Sequence, residues 1–547
     1  MVTRQVDVVV LGTGASGLTA ALAAHGHGAS VLVLEKSDKV GGTSAWSGGM
    51  IWIPNNPLMR AAGIEDSKEA ALTYLAALSH GLIDRELAAA FVDAGPEMVT
   101  WLQAHTPADF QLVGEFPDYH PEHPGGKTAG GRSLECKLFS YDELADAKHR
   151  VTVGHNYGTA PITMEESTLG RAVPIEVPPG ERERRAQRDE RGCGQALVGR
   201  LYKGCLDRDV EILTSHRAVS LVTDNGKVTG IVAEGPDGEL EVQASGGVVL
   251  ATGGFEWNPD LVRAFLRGPM SSPVSVPTNE GDGLTMCMRI GAALGNMREA
   301  WWMPAVEVPS DDAGGTQIHL FAAERARPRS IMVNRAGRRF TNEAANYNAF
   351  GAAFHEQDVA RFEYANLPCW FIFDQKHLQS FGFIGTPVGA PAANWVTSAS
   401  TLAELAGKLG IDEDALANTV ARWNGFADQG KDLDFHRGES AHDNWWGDPQ
   451  AKGTPAATLG PLDTGPFYAV EVKSGALGTK GGPLTDTCGR VQDVDGGTID
   501  GLYAAGNVMA SVMGMTYGGA GGTLAPGMVF GFIGGRDAAR RAARSRG

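Results

Sequence analysis

No apolar run in the 547-residue sequence approaches the ~18 residues that a membrane-spanning helix needs, so the sequence predicts no transmembrane segment. The six cysteines (Cys136, Cys193, Cys205, Cys287, Cys369 and Cys488) form no C-x-x-C pair, which excludes a zinc ribbon and a thioredoxin motif. Reduced, unpaired thiols fit a cytoplasmic protein. The fourteen histidines include no H-E-x-x-H or similar cluster, and no metal site is expected. Positive charge is also short. A net charge of −17 argues against nucleic acid and anionic membrane surfaces as partners. With the first apolar run starting at Val6, there is no room for a signal peptide, and a cytoplasmic location is expected.

Glycine, in contrast, is abundant: 73 residues, nearly double the usual ~7%. The first cluster is the most informative. Val6 to Leu11 is an apolar β-type run; Gly12-Thr-Gly14-Ala15-Ser16-Gly17 follows, then an alanine-rich stretch and a second apolar run, Val31 to Leu34, ending at Glu35. That order predicts strand, glycine turn, helix and strand, the unit that binds dinucleotides. Gly12 permits the tight turn, Gly14 lets backbone approach a pyrophosphate, and Gly17 lets helix pack on strand. The phosphates then sit at the positive helix N-terminus. Glu35 is placed to accept hydrogen bonds from a ribose and to repel the 2′-phosphate of NADP. A second cluster, Gly41 to Gly49, lies too far on to serve the same phosphates. It suits the isoalloxazine side of a larger dinucleotide, so a flavin is the better ligand.

At this length the chain should divide into domains. The sequence predicts an FAD-binding domain over 1–299, a second domain rich in aromatic residues over 300–473, and a C-terminal return to the first over 474–547. Within the first, residues 123 to about 191 are polar and read as a surface insertion. They end in Glu181 to Arg191, where five arginines face four acidic residues, as on a solvated helix or loop. From Val210 the pattern changes to short strands with Asn225-Gly226 and Asp237-Gly238 hairpin turns, then a buried strand ending at Gly253-Gly254. Most of the tryptophans from Trp301 to Trp446 are expected in core or interface. The arginine-rich tail, Arg536 to Arg546, reads as a frayed cationic helix end.

Several motifs together resemble the flavoproteins of the fumarate reductase and succinate dehydrogenase superfamily and, within it, the 3-ketosteroid Δ1-dehydrogenases. They are Gly12 to Gly17, Gly41-Gly42-Thr43-Ser44, Thr252-Gly253-Gly254, Asn279 to Gly283, Gly337-Arg-Arg-Phe-Thr-Asn-Glu343, Asp434-Phe-His-Arg-Gly438, Leu477-Gly-Thr-Lys-Gly-Gly482 and Gly501 to Asn507. The resemblance implies an α/β fold with a Rossmann-like FAD-binding domain of the glutathione-reductase type and an inserted α+β catalytic domain. The FAD would be non-covalent, since residues 37 to 50 contain no histidine to carry a covalent link. The cofactor positions it implies are Gly12, Gly14, Ala15, Ser16, Gly17, Glu35, Lys36, Gly42, Thr43, Ser44, Ser47, Gly48, Gly49, Ala218, Gly253, Gly254, Asp282, Gly506, Asn507, Gly522 and Leu524.

Where fumarate reductases carry a proton-donating arginine after the Asn-Glu motif, this chain has Tyr347, and Tyr517 stands where a C-terminal arginine would clamp a dicarboxylate. The steroid dehydrogenases carry tyrosines at three positions, matched by Tyr119, Tyr347 and Tyr517. The resemblance assigns carbonyl polarisation to the Tyr517 hydroxyl and the Gly521 N–H, C2 proton abstraction to Tyr347 as tyrosinate, and support of that anion to Tyr119. A hydride from C1 then passes to flavin N5, and an acceptor other than NAD takes the electrons. The family's usual motif has prolines where this chain has Gly518 and Ala520, which implies a softer loop and leaves the substrate open. A serine that marks a related Δ4 group is replaced by Gly519. The implied substrate is a 3-ketosteroid. Alternatives are dehydrogenation, or reduction in reverse, of another cyclic ketone of the Δ4-steroid or cyclohexanone type, then a fumarate-reductase-like enzyme, and a non-catalytic FAD-binding module.

Overall fold

A computed structural model describes residues 2–168, 170, 171, 173, 175–310 and 315–546. Its first layer is an eight-stranded sheet whose main path runs Arg490–Gln492, Thr498–Ala504, Gly238–Leu250, Val2–Leu11, Val31–Leu34, Glu211–Leu213. The inner strands pair in parallel, as in Val8–Leu11 against Val31–Leu34 and against Gly247–Leu250. Their Val and Leu side chains are buried on both faces, the pattern of a sheet covered from both sides. The hairpins expected at Asn225-Gly226 and Asp237-Gly238 join Arg217–Asp224 to Lys227–Gly235 and that strand to Gly238–Leu250.

The first helix, Ala15–Gly26, and the last, Leu524–Arg546, cover one face together. Their contact explains a run of glycines four residues apart. A Cβ on Gly527 would lie 2.3 Å from Ser16 Oγ, on Gly531 2.4 Å from the Ser16 carbonyl, and on Gly535 2.3 Å from the Ala20 carbonyl. Only hydrogen in those three places lets the backbones meet, and this draws the C-terminus onto the glycine turn. The helix end is not frayed. Ala538, Ala539 and Ala542 are buried on one stripe, while Arg541 pairs with Asp500 and Arg536 with Glu97. The arginines occupy only its outer face.

The second layer is a seven-stranded sheet, antiparallel along its main path Gly315–Leu320, Ala300–Ser310, Phe467–Thr479, Cys369–Asp374, Ser330–Asn334. Period-two alternation builds two cores: Phe371 and Phe373 join Phe321 and Phe383 on one face, while Ile372 joins Ile331, Val333 and Trp423 on the other. The long strand Phe467–Thr479 runs through the boundary expected at 473, so one segment carries the chain from this sheet back to the first. Trp301, Trp302, Trp423 and Trp446 are buried.

Within the stretch 123–191, residues 130–136 are buried and correct the surface reading there; residues 169, 172 and 174 lie outside those described. Ser133–Cys136 is the central strand of a small three-stranded sheet, and all four of its residues are buried. Arg132 beside it is equally buried, held by Asp66 at 2.7 Å and Asp118 at 2.8 Å. Polar composition here reflects internal ion pairing.

Candidate active site

A cleft with about 1610 Å³ of empty space, part of it open to solvent, begins at the glycine turn and ends at the tyrosines. At the first end, Gly12 has φ +104°, and a Cβ there would meet the Ala251 carbonyl at 2.3 Å. The helix opening at Ala15 is capped by Gly14, which offers no side-chain acceptor, so the first-turn N–H groups beyond Ala15, whose own amide is taken by Ser44, can meet an anion. Glu35 accepts from the Thr13 amide (3.1 Å), the Thr13 hydroxyl (2.6 Å) and the Ser37 amide (2.9 Å). Three of its roughly four acceptor positions are therefore filled, and one remains for a ribose hydroxyl. Burial raises its pKa, against those hydrogen bonds.

Most of the expected cofactor residues line this cleft: Gly12, Gly14, Ser16, Glu35, Lys36, Gly42, Thr43, Ser44, Ser47, Gly48, Gly49, Ala218, Gly253, Asp282, Gly506, Asn507 and Leu524. Lys36 and Asp282 also pair with each other at 2.8 Å. Four stand behind the wall. The Ala15 amide donates to Ser44 Oγ at 3.0 Å. A Cβ on Gly17 would strike the Gly12 carbonyl, on Gly254 the Glu256 and Thr479 side chains, and on Gly522 the Tyr517 ring. An extended cleft with a glycine cradle and helix N-terminus at one end fits a dinucleotide lying along it.

At the far end Tyr119, Tyr347 and Tyr517 converge. Their ring centroids are 5.3 Å apart (Tyr119–Tyr347), 4.9 Å (Tyr119–Tyr517) and 5.5 Å (Tyr347–Tyr517), and all three line the cleft with Gly521. The Tyr119 hydroxyl donates to that of Tyr347 at 2.8 Å. Burial pushes both phenols well above the ordinary range. The Arg325 guanidinium opposes this at Tyr119. On Tyr517 burial also raises the pKa, while the Thr523 hydroxyl and the Gly521 and Thr523 amides favour the anion.

Each tyrosine is held by structure that sequence motifs partly foreshadow. Tyr347 opens a short turn four residues after Glu343, which is buried in an ion network: Arg339 at 2.7 Å and Arg437 at 3.3 Å, with Arg339 also on Asp432 at 2.8 Å. Arg339 and Glu343 of the Gly337 to Glu343 motif and Arg437 of the Asp434 to Gly438 motif thus form one buried anchor. The Tyr119 amide and the Tyr74 hydroxyl both donate to the Gly518 carbonyl, at 3.0 and 2.7 Å. A Cβ on Gly519 would lie 2.5 Å from the Trp52 ring. The loop without prolines is therefore wedged by Trp52 and pinned by two donors, which corrects the softer loop implied by its composition.

Thr523 was not among the sequence candidates, yet its hydroxyl donates to Tyr517 at 2.8 Å. Tyr157, Met50 and Leu320 also line the cleft, and Asn279 hydrogen-bonds Thr43 at 3.1 Å. Apart from the position of Asn279 inside a family motif, these carry no sequence signal.

The comparisons with known proteins agree with this geometry. The family model for the FAD binding domain matches residues 7–524. The chain is 39% identical to the 3-oxosteroid 1-dehydrogenase of Mycobacterium tuberculosis, over 97% of this chain and 98% of that one. The chain belongs to the FAD-binding flavoprotein family that includes the 3-oxosteroid 1-dehydrogenases. Another member, the 4-oxocyclohexanecarboxylate 2-dehydrogenase of Sinomonas cyclohexanicum, is 42% identical over 98% of this chain and 93% of its own. The crystal structure of the 3-ketosteroid delta1-dehydrogenase from Sterolibacterium denitrificans, in complex with 1,4-androstadiene-3,17-dione, superposes with a TM-score of 0.89 at 36% identity, covering 98% of this chain and 100% of that one. As a member of this family the chain is an FAD-dependent oxidoreductase. Among the described residues no helix is long and apolar enough to cross a membrane.

Proposed function

We propose that this flavoprotein removes one hydrogen from each of two adjacent ring carbons beside a ketone, the 1,2-desaturation of a 3-oxosteroid. The observation that carries this reading is the buried tyrosine trio at one end of the cofactor cleft. An α-proton becomes acidic only when charge growing on the carbonyl oxygen is stabilised, and each fixed donor there is typically worth about 3 to 4 kcal/mol. The Tyr517 hydroxyl and the Gly521 N–H are those donors. Thr523 donates to Tyr517, which leaves the Tyr517 proton free for the substrate oxygen. The hydroxyl of Tyr119 stabilises the Tyr347 anion through the 2.8 Å hydrogen bond, and that anion takes the C2 proton and becomes neutral as charge moves to the substrate oxygen. When bound, FAD supplies the acceptor for the C1 hydride. The walls around the tyrosines exclude water and orient the ring, which is where proximity contributes.

A second reading, a smaller ring ketone of the 4-oxocyclohexanecarboxylate type, is favoured by the 42% identity to a dehydrogenase of that name. The same residues would serve it, since both substrates place a CH–CH pair beside a ring ketone. The test is to supply the oxidised enzyme with an artificial electron acceptor and, in separate reactions, a 4-ene-3-oxosteroid or 4-oxocyclohexanecarboxylate. Accumulation of the 1,4-diene-3-ketone supports the steroid reading. Turnover of the cyclohexanone acid alone transfers the chemistry to the smaller ring, and turnover of neither contradicts the proposal.

A further inference from the structure

Lys480 ends the strand Phe467–Thr479 within the Leu477 to Gly482 motif, and its side chain is completely buried. A buried ammonium is costly unless its N–H groups find partners. Its Nζ donates to Asn348 Oδ1 at 3.0 Å and to the Thr516 carbonyl at 2.6 Å. It also lies 4.2 Å from the centre of the Trp301 ring. Asn348 is the residue after Tyr347, and Thr516 is the residue before Tyr517. One side chain therefore joins two segments far apart in sequence, each of which delivers a tyrosine to the site. Trp301 extends the link: its ring packs edge-on against Tyr517 at 4.9 Å, and its Nε1 donates to Asn507 Oδ1 at 3.0 Å.

We propose that Lys480 is a positioning residue that fixes the spacing of Tyr347 and Tyr517, so that proton abstraction and carbonyl polarisation act on one ring together. The inference rests on the roles given to those two tyrosines above. The carbonyl oxygen and the C2 hydrogen are close neighbours in the substrate, so the two phenols must meet the ring in one fixed relation. A misplacement of about 1 Å can cost on the order of a hundredfold in rate. Burial lowers the Lys480 pKa to about 7, with Glu299 opposing and Arg267 reinforcing the shift. A neutral amine keeps two N–H groups, so both hydrogen bonds persist on either side of that value.

The test reads proton transfer without flavin turnover. Enzyme loaded with FAD and reduced by dithionite is given a saturated 3-oxosteroid in D2O, and deuterium uptake at C2 is followed by mass spectrometry. In this exchange Tyr347 removes the C2 proton, solvent replaces it with a deuteron, and the enolate takes the deuteron back at carbon. Steroid affinity is measured separately from the perturbation of the oxidised flavin spectrum. Lys480→Met is expected to slow exchange at least 30-fold while FAD content and steroid affinity stay within threefold of wild type. Lys480→Arg, which keeps the donors, should recover part of the rate. Exchange at the wild-type rate in Lys480→Met, or a loss of binding as large as the loss of exchange, overturns the inference. If Lys480→Met does not fold, Asn348→Leu carries the test, with at least a tenfold slowing expected and an unchanged rate contradicting. Absence of exchange in the wild-type enzyme, with the steroid and with 4-oxocyclohexanecarboxylate in its place, removes the tyrosine roles themselves, and the inference with them.

Discussion

Tyr119 and Tyr347, 228 positions apart, meet hydroxyl to hydroxyl at 2.8 Å in a buried site. Two phenols in that arrangement share one ionisation, because the proton remaining after the first loss stabilises the anion across the bond.

Tyr347→Phe should therefore retain FAD and lose flavin reduction by about 10² to 10⁴, the range for a positioned general base. Tyr119→Phe should lose less, since it removes support and leaves the base. Anaerobic stopped-flow absorbance on the FAD-loaded variants measures both.

The pH dependence follows from the direction of the shifts. Burial raises both phenols, and the proposed base is the ionised form of the pair, whose population grows as pH rises. Flavin reduction at saturating substrate should climb from pH 6 to 9 by up to about one log unit per pH unit, the slope of a single ionisation. Arg325→Met removes the positive charge that favours the Tyr119 anion and should move this rise to higher pH. A flat profile in the wild-type enzyme would contradict the tyrosinate assignment.

Thr523→Val removes the donor to Tyr517 without touching the ring. A neutral hydrogen bond is typically worth about 0.5 to 1.5 kcal/mol, so up to roughly a tenfold loss in kcat is expected. Tyr517→Phe removes the oxyanion donor and should cost about 10² to 10³. Steady-state kinetics on the two variants orders them.

Glu343→Gln leaves Arg339 and Arg437 buried with half their countercharge. Breaking a buried ion network typically costs about 3 to 5 kcal/mol, and the thermal melting of the FAD-loaded protein should fall accordingly. Gly12→Ala should lose flavin absorbance altogether, because its backbone has φ +104° and a Cβ there would overlap the Ala251 carbonyl.

The strand–turn–helix–strand unit from Val6 to Leu34 was legible because its signals are local, buried apolar runs, a glycine turn and alanine-rich packing, while the strand's polar start at Val2 was not. The tyrosines were legible through family motifs, since no local pattern distinguishes Tyr347 from any packed phenol. What escaped depends on distant partners. Arg132 looks like loop charge until Asp66 and Asp118 are beside it. The C-terminal arginines obscured the buried alanines beneath them. Lys480 and Thr523 reveal themselves only by whom they touch.

The proposed oxidation of a ring ketone in this cleft pairs Tyr347 with bound FAD. Anaerobic mixing of the yellow wild-type enzyme and of Tyr347→Phe with a 4-ene-3-oxosteroid, and then with 4-oxocyclohexanecarboxylate, tests it directly. At least one ketone is expected to bleach the wild-type flavin, while the variant stays yellow with its FAD still bound. No bleaching by either ketone, or bleaching of Tyr347→Phe at the wild-type rate, would contradict it.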